Sequence, residues 1–484
     1  TSWHAKRGGR FMIFWVWVFG LIYAGMLVFA SLKSYKKGRS SEEFMMAGGN
    51  IGLSLGVLTF AAALFSTFTF LGMPDFFRIN GIGAWIFLAV SDGAMVFVLL
   101  WFGYKIRTKV KGMEFRGVSG LISRCYDNKL AGYTFFLSAF LFLIPYVGIQ
   151  IQGIAIFMDA AFPESLPAWG WSLGIVLIML TYSEIGGLKA IIFSDAIQGV
   201  LLLAVIWIIG WVCLDHFGGI GPMFEKVGTV KEELLSTPGP QGLLSPQFLL
   251  ASLIAILMIP VTQPQFTTRI VVMKSMNTMK LMAVSLGAFA ILVILPTVFI
   301  GMYGADLYGE LGRDEFFANA FLKDQHEAVA ALAIIGLIAA GLSTTNAMIF
   351  AMGSELRGLL TGAEKIIMKR TKIGIFVFST IAFIFSIIVF DQLVLLARVS
   401  FAGTGIMGPM ILLGILSDRK ISPLMIYLSL GGLAIFLLSL GGVIPSMYFG
   451  YRLDLLLFIV LGISAVVSYL TSEKRMETEP KVNK

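Results

Sequence analysis

Long apolar stretches separated by short polar segments run through almost the whole chain. A helix needs about 20 apolar residues to cross a bilayer, and thirteen stretches approach that length. They lie at 11–32, 51–79, 83–108, 132–160, 168–184, 187–214, 246–273, 280–304, 327–356, 372–390, 392–416, 422–442 and 453–471. The pattern predicts an all-α polytopic membrane protein with about 13 transmembrane helices. The close pairs at 168–214 and 372–416 are the hardest to divide into single spans.

Two of the predicted spans contain prolines and polar residues that interrupt the apolar pattern. The second span contains Phe65-Ser66-Thr67-Phe68-Thr69 and then Gly72-Met73-Pro74, and the seventh contains Pro260 and then Gln263-Pro264-Gln265. Proline removes a backbone donor and clashes with the preceding turn. Unwound backbone at membrane depth is tolerated only where it lines a cavity or is buried in protein.

The positions of these two spans predict an internal repeat. They are five spans apart, so they cross the membrane in opposite directions. Broken helices at matching positions of two antiparallel five-helix units are typical of a transporter with a 5+5 inverted-repeat core. Two ordinary proline kinks are the alternative explanation.

The composition excludes a soluble globular protein. The chain has 484 residues, of which 57% are hydrophobic and 13% are charged, whereas a soluble domain carries about 25% charged residues. The net charge of +8 comes from short basic runs between apolar stretches, and such runs indicate membrane topology. The sequence shows no basic stretch with interleaved aromatic residues, so we expect the lipid bilayer and not nucleic acid as a partner.

The distribution of positive charge predicts the orientation. Loops that the thirteen spans place inside hold most of the 36 Lys and Arg residues. Cytoplasmic loops carry such an excess, so we expect a plasma (inner) membrane protein with its N-terminus outside and its C-terminus in the cytoplasm. The predicted regions are an extracytoplasmic N-terminus with the first helix and an inner loop at 1–50, the ten-helix transport core at 51–416, two peripheral helices at 417–471 and a cytoplasmic tail at 472–484.

Four charged residues fall within the predicted spans or at their inner ends. They are Asp92, Glu184, Asp195 and Arg398. A charge in the membrane is costly, so each is a functional candidate. Structural pairing, such as Arg398 with an acid, is the alternative. Asp195 lies among hydroxyl and amide side chains, which favours a functional role there.

The ninth predicted span carries a small polar cluster. Ala340, Ser343 and Thr344 are spaced i, i+3 and i+4 and therefore share one face of a helix. Hydroxyl and carbonyl oxygens are hard donors that suit a hard cation such as Na⁺. The alternative is that small residues here only allow close helix packing.

Enzyme chemistry finds no support in the sequence. The three histidines, His4, His216 and His326, fall in loops or at helix ends. Gly170-Trp171-Ser172-Leu173-Gly174 matches a hydrolase nucleophile pattern, but that pattern needs a strand-to-helix turn and a histidine partner. We therefore expect no catalytic residue and no cofactor.

Several segments resemble the sodium:solute symporter family. Tyr182-Ser183-Glu184-Ile185-Gly186-Gly187-Leu188-Lys189-Ala190, followed by Ser194-Asp195 and Gln198, is similar to the family signature. Further similar segments are Ser400-Phe401-Ala402-Gly403-Thr404-Gly405 with Gly408-Pro409, Phe70-Leu71-Gly72-Met73-Pro74 and the pair Ser343-Thr344. The resemblance implies a LeuT-like inverted-repeat core and transport by alternating access.

A sodium site follows from the same resemblance. It places the ion between the backbone carbonyls of Ala62, Phe65 and Ala340 and the hydroxyls of Ser343 and Thr344, with Na⁺ as the coupling ion.

The resemblance also raises a second cation site. Some family members bind a second sodium near the aspartate that matches Asp195, so Asp195 and Asn346 form a candidate second site. The family pattern expects two serines where this chain has Asn346 and Ala347, and this departure counts against the second site.

Polar side chains of the interrupted helices and one arginine are the candidate solute ligands. They are Ser66, Thr69, Gln263, Gln265 and Arg398. Bacterial sugar symporters carry acidic and amide side chains where this chain has Phe68 and Thr69, and proline symporters carry an aspartate in place of Leu64. Neither sugar nor proline is favoured, and Arg398 with Arg269 could attract a carboxylate.

We therefore expect a sodium-coupled secondary active symporter that imports a small organic solute, with a carboxylate or an amino acid as the favoured class. The first alternative is a membrane sensor module of the same fold that relays ligand occupancy to a partner protein. Such modules are usually followed by a kinase domain, and the sequence up to Lys484 contains none. The second alternative, a polytopic membrane enzyme, lacks a catalytic motif.

Overall fold

The computed structural model describes a chain that is almost entirely helical. The described residues are 2–34, 46–163, 165–388, 393–419 and 421–472, without the side chains of 2–11, 48 and 182–186. The helices before residue 258 are α1 (Ser2–Ser34), α2 (Leu53–Leu64), α3 (Met73–Asn80), α4 (Ser91–Lys109), α5 (Val118–Cys125), α6 (Lys129–Ala161), α7 (Ala168–Asp215), α8 (Ile220–Val230) and α9 (Pro246–Leu257). The later helices are α10 (Ile259–Thr262), α11 (Pro264–Val271), α12 (Met276–Tyr308), α13 (Arg313–Ala318), α14 (Glu327–Leu359), α15 (Glu364–Ser386), α16 (Leu393–Gly405), α17 (Gly408–Leu416), α18 (Leu424–Leu440) and α19 (Leu453–Thr471).

A few short elements complete the described structure. They are π-helical turns at Phe68–Gly72, Ile86–Val90 and Asn319–Lys323, 3₁₀ turns at Ala47–Gly49 and Glu232–Leu235, and the antiparallel strands β1 (Met447–Tyr448) and β2 (Tyr451–Arg452). Turns of the π type are frequent at functional sites. One of them joins the first broken helix to α3, and another leads directly into α4.

The predicted class, an all-α polytopic membrane protein, is confirmed. Within the described residues, eight helices are long and apolar enough to cross a membrane, or nine if one bent pair counts as a single span. Three shorter apolar helices, Ala168–Thr181, Pro246–Leu257 and Leu424–Leu440, accompany them. Each of the thirteen predicted stretches overlaps helix, but the number of spans stays a prediction.

A glycine bends α7 between two of the predicted spans. Gly187 has φ 61° and ψ −170°, which is outside the helical region. Residues with a Cβ rarely adopt such a φ, so glycine is suited to this position. The apolar helix Ala168–Thr181 and the span Gly187–Asp215 therefore correspond to the separate stretches predicted at 168–184 and 187–214.

Two helices are broken in the middle, as the sequence predicts. α2 ends at Leu64, Phe65 is extended at φ −92° and ψ 119°, and the chain bends by 61° before it continues towards α3. α10 ends at Thr262, and Gln263 is extended at φ −104° and ψ 114° before α11 begins. An extended residue thus terminates the first half of each broken helix.

Proline explains only the second of these breaks. Pro264 follows Gln263 directly, and a residue before proline is pushed towards extended conformations. Pro74 instead lies in the first turn of α3, well beyond Phe65, so the expectation that a proline interrupts the first helix is wrong. Pro145 lies inside α6, which continues through it.

The broken helices lie inside a layer of long helices. α2 packs against α7 and α12, and α14 packs against α6, α7 and α1. α4, which follows the first broken helix, packs against α9, α10 and α11. The two breaks are therefore buried in protein, the condition under which unwound backbone is tolerated in a membrane.

Candidate functional site

Hydroxyl side chains satisfy the backbone donors that the first break releases. The N–H of Ser66 donates to Thr69 Oγ1 at 3.2 Å, and the N–H of Phe68 donates to Ser66 Oγ at 3.2 Å. A buried backbone donor without a partner is costly, so these hydroxyls stabilise the unwound turn. Ser66 and Thr69 are fully buried, and their role as solute ligands stays a prediction.

The neighbouring helices hold this break from both sides. The N–H of Thr67 donates to Gln150 Oε1 of α6 at 3.0 Å. Glycines on α6 and α14 make room for Thr67, because a Cβ at Gly153 would lie 2.2 Å from Thr67 Cγ2 and one at Gly341 would lie 2.7 Å from Thr67 Oγ1. Thr67 is therefore enclosed between α6 and α14.

The second break presents two buried amides. Gln265 Nε2 donates to Gln263 Oε1 at 2.7 Å, and Thr267 Oγ1 donates to the carbonyl of Pro260 at 3.1 Å. Gln263 Nε2 and Gln265 Oε1 have no hydrogen-bond partner among the described residues. Buried polar atoms are nearly always paired in native proteins, so these two atoms are suited to a polar ligand.

Four of the five predicted sodium ligands meet between α2 and α14. Ser343 Oγ lies 2.9 Å from the carbonyl of Ala62 and 2.8 Å from that of Ala340, and it donates to these oxygens. Thr344 Oγ1 donates to the Ala62 carbonyl at 2.9 Å. All four residues are buried. Hydroxyl and carbonyl oxygens collected in this way suit a hard monovalent cation.

The remaining predicted ligands are close in sequence to this group. Phe65 is the extended, buried residue that ends α2, three positions after Ala62. No hydrogen bond joins Phe65 to Ser343 or Thr344 within the described residues. Asn346 is buried on α14, two positions after Thr344.

Asp195 lies in a fully buried ion pair. Its Oδ2 accepts from Arg269 at 2.6 Å and from Thr59 Oγ1 at 2.6 Å. Arg269 Nε also donates to the carbonyl of Thr59 at 3.1 Å, and another nitrogen of its guanidinium donates to the carbonyl of Gln265 at 3.0 Å. The guanidinium thus already neutralises Asp195, which is an argument against a cation there; the second site stays a prediction.

Arg398 is also paired with an acid. Its guanidinium lies 2.6 Å from Asp454 Oδ2 of α19, donates to Ser252 Oγ at 2.7 Å and stacks over Phe248 at 5.0 Å from the ring centre. The structure therefore favours the alternative that the sequence left open, in which Arg398 has a structural partner. Neither Arg398 nor Arg269 offers an unpaired charge to a carboxylate.

The other two membrane acids differ from each other. Asp92 is buried on α4, and among the described residues it has no hydrogen-bond or ion-pair partner. The side chain of Glu184 lies outside the described part of the chain.

Sequence reasoning missed two polar side chains of α6 that approach the first break. Gln150 binds Thr67, and the hydroxyl of Tyr146 lies beside the side chain of Ser66. They are spaced i and i+4, so they share one face of the helix. This polar pair within an apolar span was the available signal, but a tyrosine in such a span is ordinarily interpreted as core.

Comparison with known proteins decides the family. The family model described as "Sodium:solute symporter family" matches residues 44–363. This chain belongs to the sodium:solute symporter family. The match covers both broken helices and the Ser343–Thr344 pair, and the family resemblance stated from the sequence is confirmed.

Curated relatives are similar over part of their length. The uncharacterized symporter YhjB of Bacillus subtilis is 23% identical over 225 residues, which cover 46% of this chain and 45% of the relative. The sodium/pantothenate symporter of Haemophilus influenzae is 25% identical over 325 residues, which cover 66% of this chain and 63% of the relative. The chain thus spans about half to two thirds of these relatives.

A solved structure matches almost the whole fold. A Na⁺-coupled sialic acid symporter in a substrate-bound, outward-open state has a TM-score of 0.77 at 15% identity, covering 97% of this chain and 99% of that one. At this identity the likeness shows the fold alone. The predicted fold class, with its inverted-repeat transporter core, is therefore confirmed.

Proposed function

We propose that this chain is a sodium-coupled secondary active symporter that imports a small organic solute by alternating access. The observation that carries the proposal is the contact of Ser343 and Thr344 on α14 with the Ala62 carbonyl on α2, one turn before the break. Family membership supports the same activity. The comparisons give no support to the sensor alternative.

The proposed sodium ligands are the carbonyls of Ala62, Phe65 and Ala340 and the hydroxyls of Ser343 and Thr344. With the ion bound, the two hydroxyls turn their lone pairs inwards and cease to donate to the carbonyls. The ion then ties the first broken helix to α14. This tie makes the occupancy of the site dependent on how α2 and α14 are arranged.

Solute binding at the same break would couple the solute to the ion. We propose Ser66, Thr69, Gln263 and Gln265 as solute ligands, because they lie at the two breaks and Ser66 directly follows the sodium ligand Phe65. A ligand shifts a conformational equilibrium only through its differential affinity for the two states. Ion and solute that favour one conformer therefore raise each other's affinity by the same factor.

The membrane potential then supplies energy for accumulation. Moving one elementary charge through 100 mV is worth about 2.3 kcal/mol. One Na⁺ per cycle would carry this energy to the solute. We propose no second cation at Asp195 and Asn346, since Arg269 already pairs with Oδ2 of Asp195 and balances its charge.

Sodium-dependent thermal stability tests the site before the solute is known. A ligand that binds only the folded state raises the unfolding temperature as its concentration rises. Purified protein should unfold at a higher temperature in NaCl than in KCl of equal ionic strength. The variant Ser343→Ala/Thr344→Ala should lose most of this difference, because it removes two of the five ligands.

Thr345→Ala is the matched control. Its hydroxyl donates to the Gly341 carbonyl at 2.7 Å within α14, so it is buried beside the site without belonging to it. The control should keep the sodium-dependent difference of the unmodified protein. If the double variant keeps it too, the ligand set is wrong and the proposed coupling site fails with it.

A further inference from the structure

A surface groove lies between α4 and α19 and has a volume of about 630 Å³. Its walls are Trp101 and Lys105 of α4 and residues of α19 between Phe458 and Tyr469, and its floor is formed by α17 between Pro409 and Leu416. α17 packs against both α4 and α19. The two wall helices belong to spans that are long and apolar enough to cross a membrane, so the groove opens towards lipid.

The groove follows the helix axes over about the depth of one leaflet. Its residues on α19 are spaced i, i+4, i+7, i+8 and i+11 from Phe458 to Tyr469, and those on α17 are spaced i, i+3, i+4 and i+7 from Pro409 to Leu416. Such spacings describe one face of a helix. At a rise of about 1.5 Å per residue, the α19 face is about 16 Å long, which is close to half of a hydrocarbon core about 30 Å thick. This length suits an acyl chain of one leaflet.

One end of the groove lies among basic side chains. Lys105 lines the groove one turn before the end of α4, is exposed and has no acidic partner in the described part of the chain. Arg419 stacks on Tyr469 at 4.8 Å from the ring centre and donates to backbone carbonyls, and none of its described contacts is with an acid. Lys109 is already paired with Asp418 at 2.8 Å. Two cations at this end, Lys105 and Arg419, therefore await a counter-charge.

Aromatic side chains mark where the groove reaches the membrane surface. Trp101 lies one turn before Lys105, and Tyr469 lies in the last turn of α19. Both line the groove and are exposed. Trp and Tyr are enriched at the level of the lipid headgroups. The groove is thus apolar on the bilayer side of this level and basic at its end, which is the complement of a phospholipid with a negative headgroup.

We propose that this groove binds an anionic phospholipid, with one acyl chain along α17 and the phosphate at Lys105 and Arg419. A zwitterionic phospholipid fits less well, because its ammonium group would lie beside two cations. The site shares no residue with the two breaks or the sodium ligands, so the inference goes beyond the proposed symport function. A bound lipid would join α19 to α4, which packs against both halves of the second broken helix.

Headgroup selectivity is the first test. The unfolding temperature of the purified protein in detergent is measured at constant ionic strength against dioleoylphosphatidylglycerol, dioleoylphosphatidylcholine and sn-glycerol 3-phosphate. Phosphatidylglycerol should raise it saturably, phosphatidylcholine at most about half as much, and glycerol phosphate not at all. Equal stabilisation by the two lipids, stabilisation by glycerol phosphate as large as that by phosphatidylglycerol, or no stabilisation by phosphatidylglycerol overturns the proposal.

A lysine variant locates the headgroup. Lys105→Gln should raise the midpoint of the phosphatidylglycerol titration about fivefold, the usual contribution of one basic residue near an anionic lipid surface. Lys369→Gln is the matched control, because Lys369 is an exposed lysine of α15 that does not line the groove. It should shift the midpoint less than about twofold. An unchanged midpoint in Lys105→Gln, or equal shifts in the two variants, contradicts a headgroup site at Lys105.

A glycine variant locates the acyl chain. A Cβ at Gly462 would meet no atom within 4 Å, so the side chain of Gly462→Leu enters the groove without a clash and competes with lipid. This variant should lose most of the stabilisation by phosphatidylglycerol. Without lipid it should unfold no earlier than the unmodified protein, since glycine inside a helix is destabilising. Gly431→Leu on α18, at an exposed position with equally open space, should keep the lipid effect. Full stabilisation of Gly462→Leu overturns the acyl-chain site.

A second copy of this chain is the other candidate occupant of the groove. Light scattering of the purified protein in phosphatidylglycerol and detergent should give the same oligomeric state for Gly462→Leu and the unmodified protein. A dimer that Gly462→Leu separates into monomers would show that the groove holds protein and would overturn the lipid site. Stabilisation by NaCl over KCl should persist in Lys105→Gln and Gly462→Leu, so failure of the lipid site and failure of the sodium site are distinguishable.

Discussion

At the scale of single residues, Arg398 and Asp454 show how a buried charge network can be asymmetric. Asp454 accepts from Arg398 at 2.6 Å and from Arg452 at 3.2 Å. Arg398 has Asp454 as its acidic partner and is 5% exposed, whereas Arg452 is 28% exposed. Removing the acid therefore strands a buried arginine, but removing Arg398 leaves Asp454 with its second partner.

This asymmetry predicts unequal effects of two conservative changes. Asp454→Asn should destabilise the protein by about 3–5 kcal/mol, the usual result of leaving a buried charge unpaired. Arg398→Gln should cost less, because Arg452 still neutralises Asp454. Thermal unfolding of the purified variants in the same detergent shows which single change lowers the stability more. The double variant Arg398→Gln/Asp454→Asn should lose less stability than the sum of the two single losses.

Two results would speak against this account. Additive effects of the two changes would show that the ion pair contributes nothing. A greater loss for Arg398→Gln than for Asp454→Asn would show that Arg398 acts elsewhere, and the solute site predicted from the sequence would be the first place to look.

The contact of Ser343 and Thr344 with Ala62 was easier to predict from the sequence than the ion pairs were. Ser343 and Thr344 share a helix face by spacing, and family resemblance supplied their partner Ala62. Asp195 and Arg269 are 74 positions apart, and Arg398 and Asp454 are 56 apart. Pairing over such distances depends on tertiary packing, which no local pattern encodes, so the sequence could only state pairing as an alternative.

At the scale of elements, the Asp195–Arg269 pair connects three helices. Arg269 belongs to α11 of the second broken helix, Asp195 to α7 and Thr59 to α2 of the first broken helix. All three side chains are buried and joined by hydrogen bonds of 2.6–3.0 Å. The pair therefore holds α2, α7 and α11 together.

We predict that Asp195→Asn loosens this region without changing the stabilisation by sodium that the proposed site implies. Thr268 next to Arg269 is buried, and its hydroxyl has no partner among the described residues, so Thr268→Cys is a mild reporter. In protein without Cys125 and Cys213, N-ethylmaleimide should label this cysteine about tenfold faster or more when Asp195→Asn is added, since lost pairing costs several kcal/mol.

Sodium titration gives the complementary measurement. Stabilisation by NaCl should follow a one-site curve, and Asp195→Asn should shift its midpoint less than twofold. A midpoint that rises strongly in this variant, or a two-site curve in the unmodified protein, would instead support the second cation site at Asp195 and Asn346.

The breaks show what element-level patterns can and cannot predict. Gln263 before Pro264 is a local signal, and the extended backbone there follows from it. The extended Phe65 has no proline after it; its turn depends on Ser66, Thr69 and a glutamine from α6. The sequence located the first broken helix and its polar segment, but the hydrogen bonds that hold the break, two within this segment and one from α6, are visible only in the structure.

At the scale of the whole molecule, contacts between helix ends define one common face. Arg107 at the end of α4 donates to the carbonyls of Ile270 and Val271 at 2.9 and 2.8 Å, and Ile51 before α2 forms a bridge with Met273. Lys109 pairs with Asp418 at 2.8 Å, and Arg419 donates to the carbonyl of Ser472. The start of α2 and the ends of α4, α11, α17 and α19 therefore lie together.

That face should be cytoplasmic, because it carries the basic ends of several spans and cytoplasmic loops are enriched in Lys and Arg. Lys33 at the end of α1 stacks on Phe193 of α7 at 5.3 Å, and α1 is long enough to cross the bilayer. Its other end should then be outside.

Single cysteines test the two faces of the membrane. Lys111→Cys follows α4 at the basic face, and Glu310→Cys lies between α12 and α13. A membrane-impermeant maleimide should label Glu310→Cys in intact cells, and Lys111→Cys only after permeabilisation. Tags joined ahead of Thr1 and after Lys484 should be found outside and inside. Labelling of both cysteines from one side would contradict the antiparallel arrangement of the two broken helices, and both tags on one side would contradict an odd number of spans.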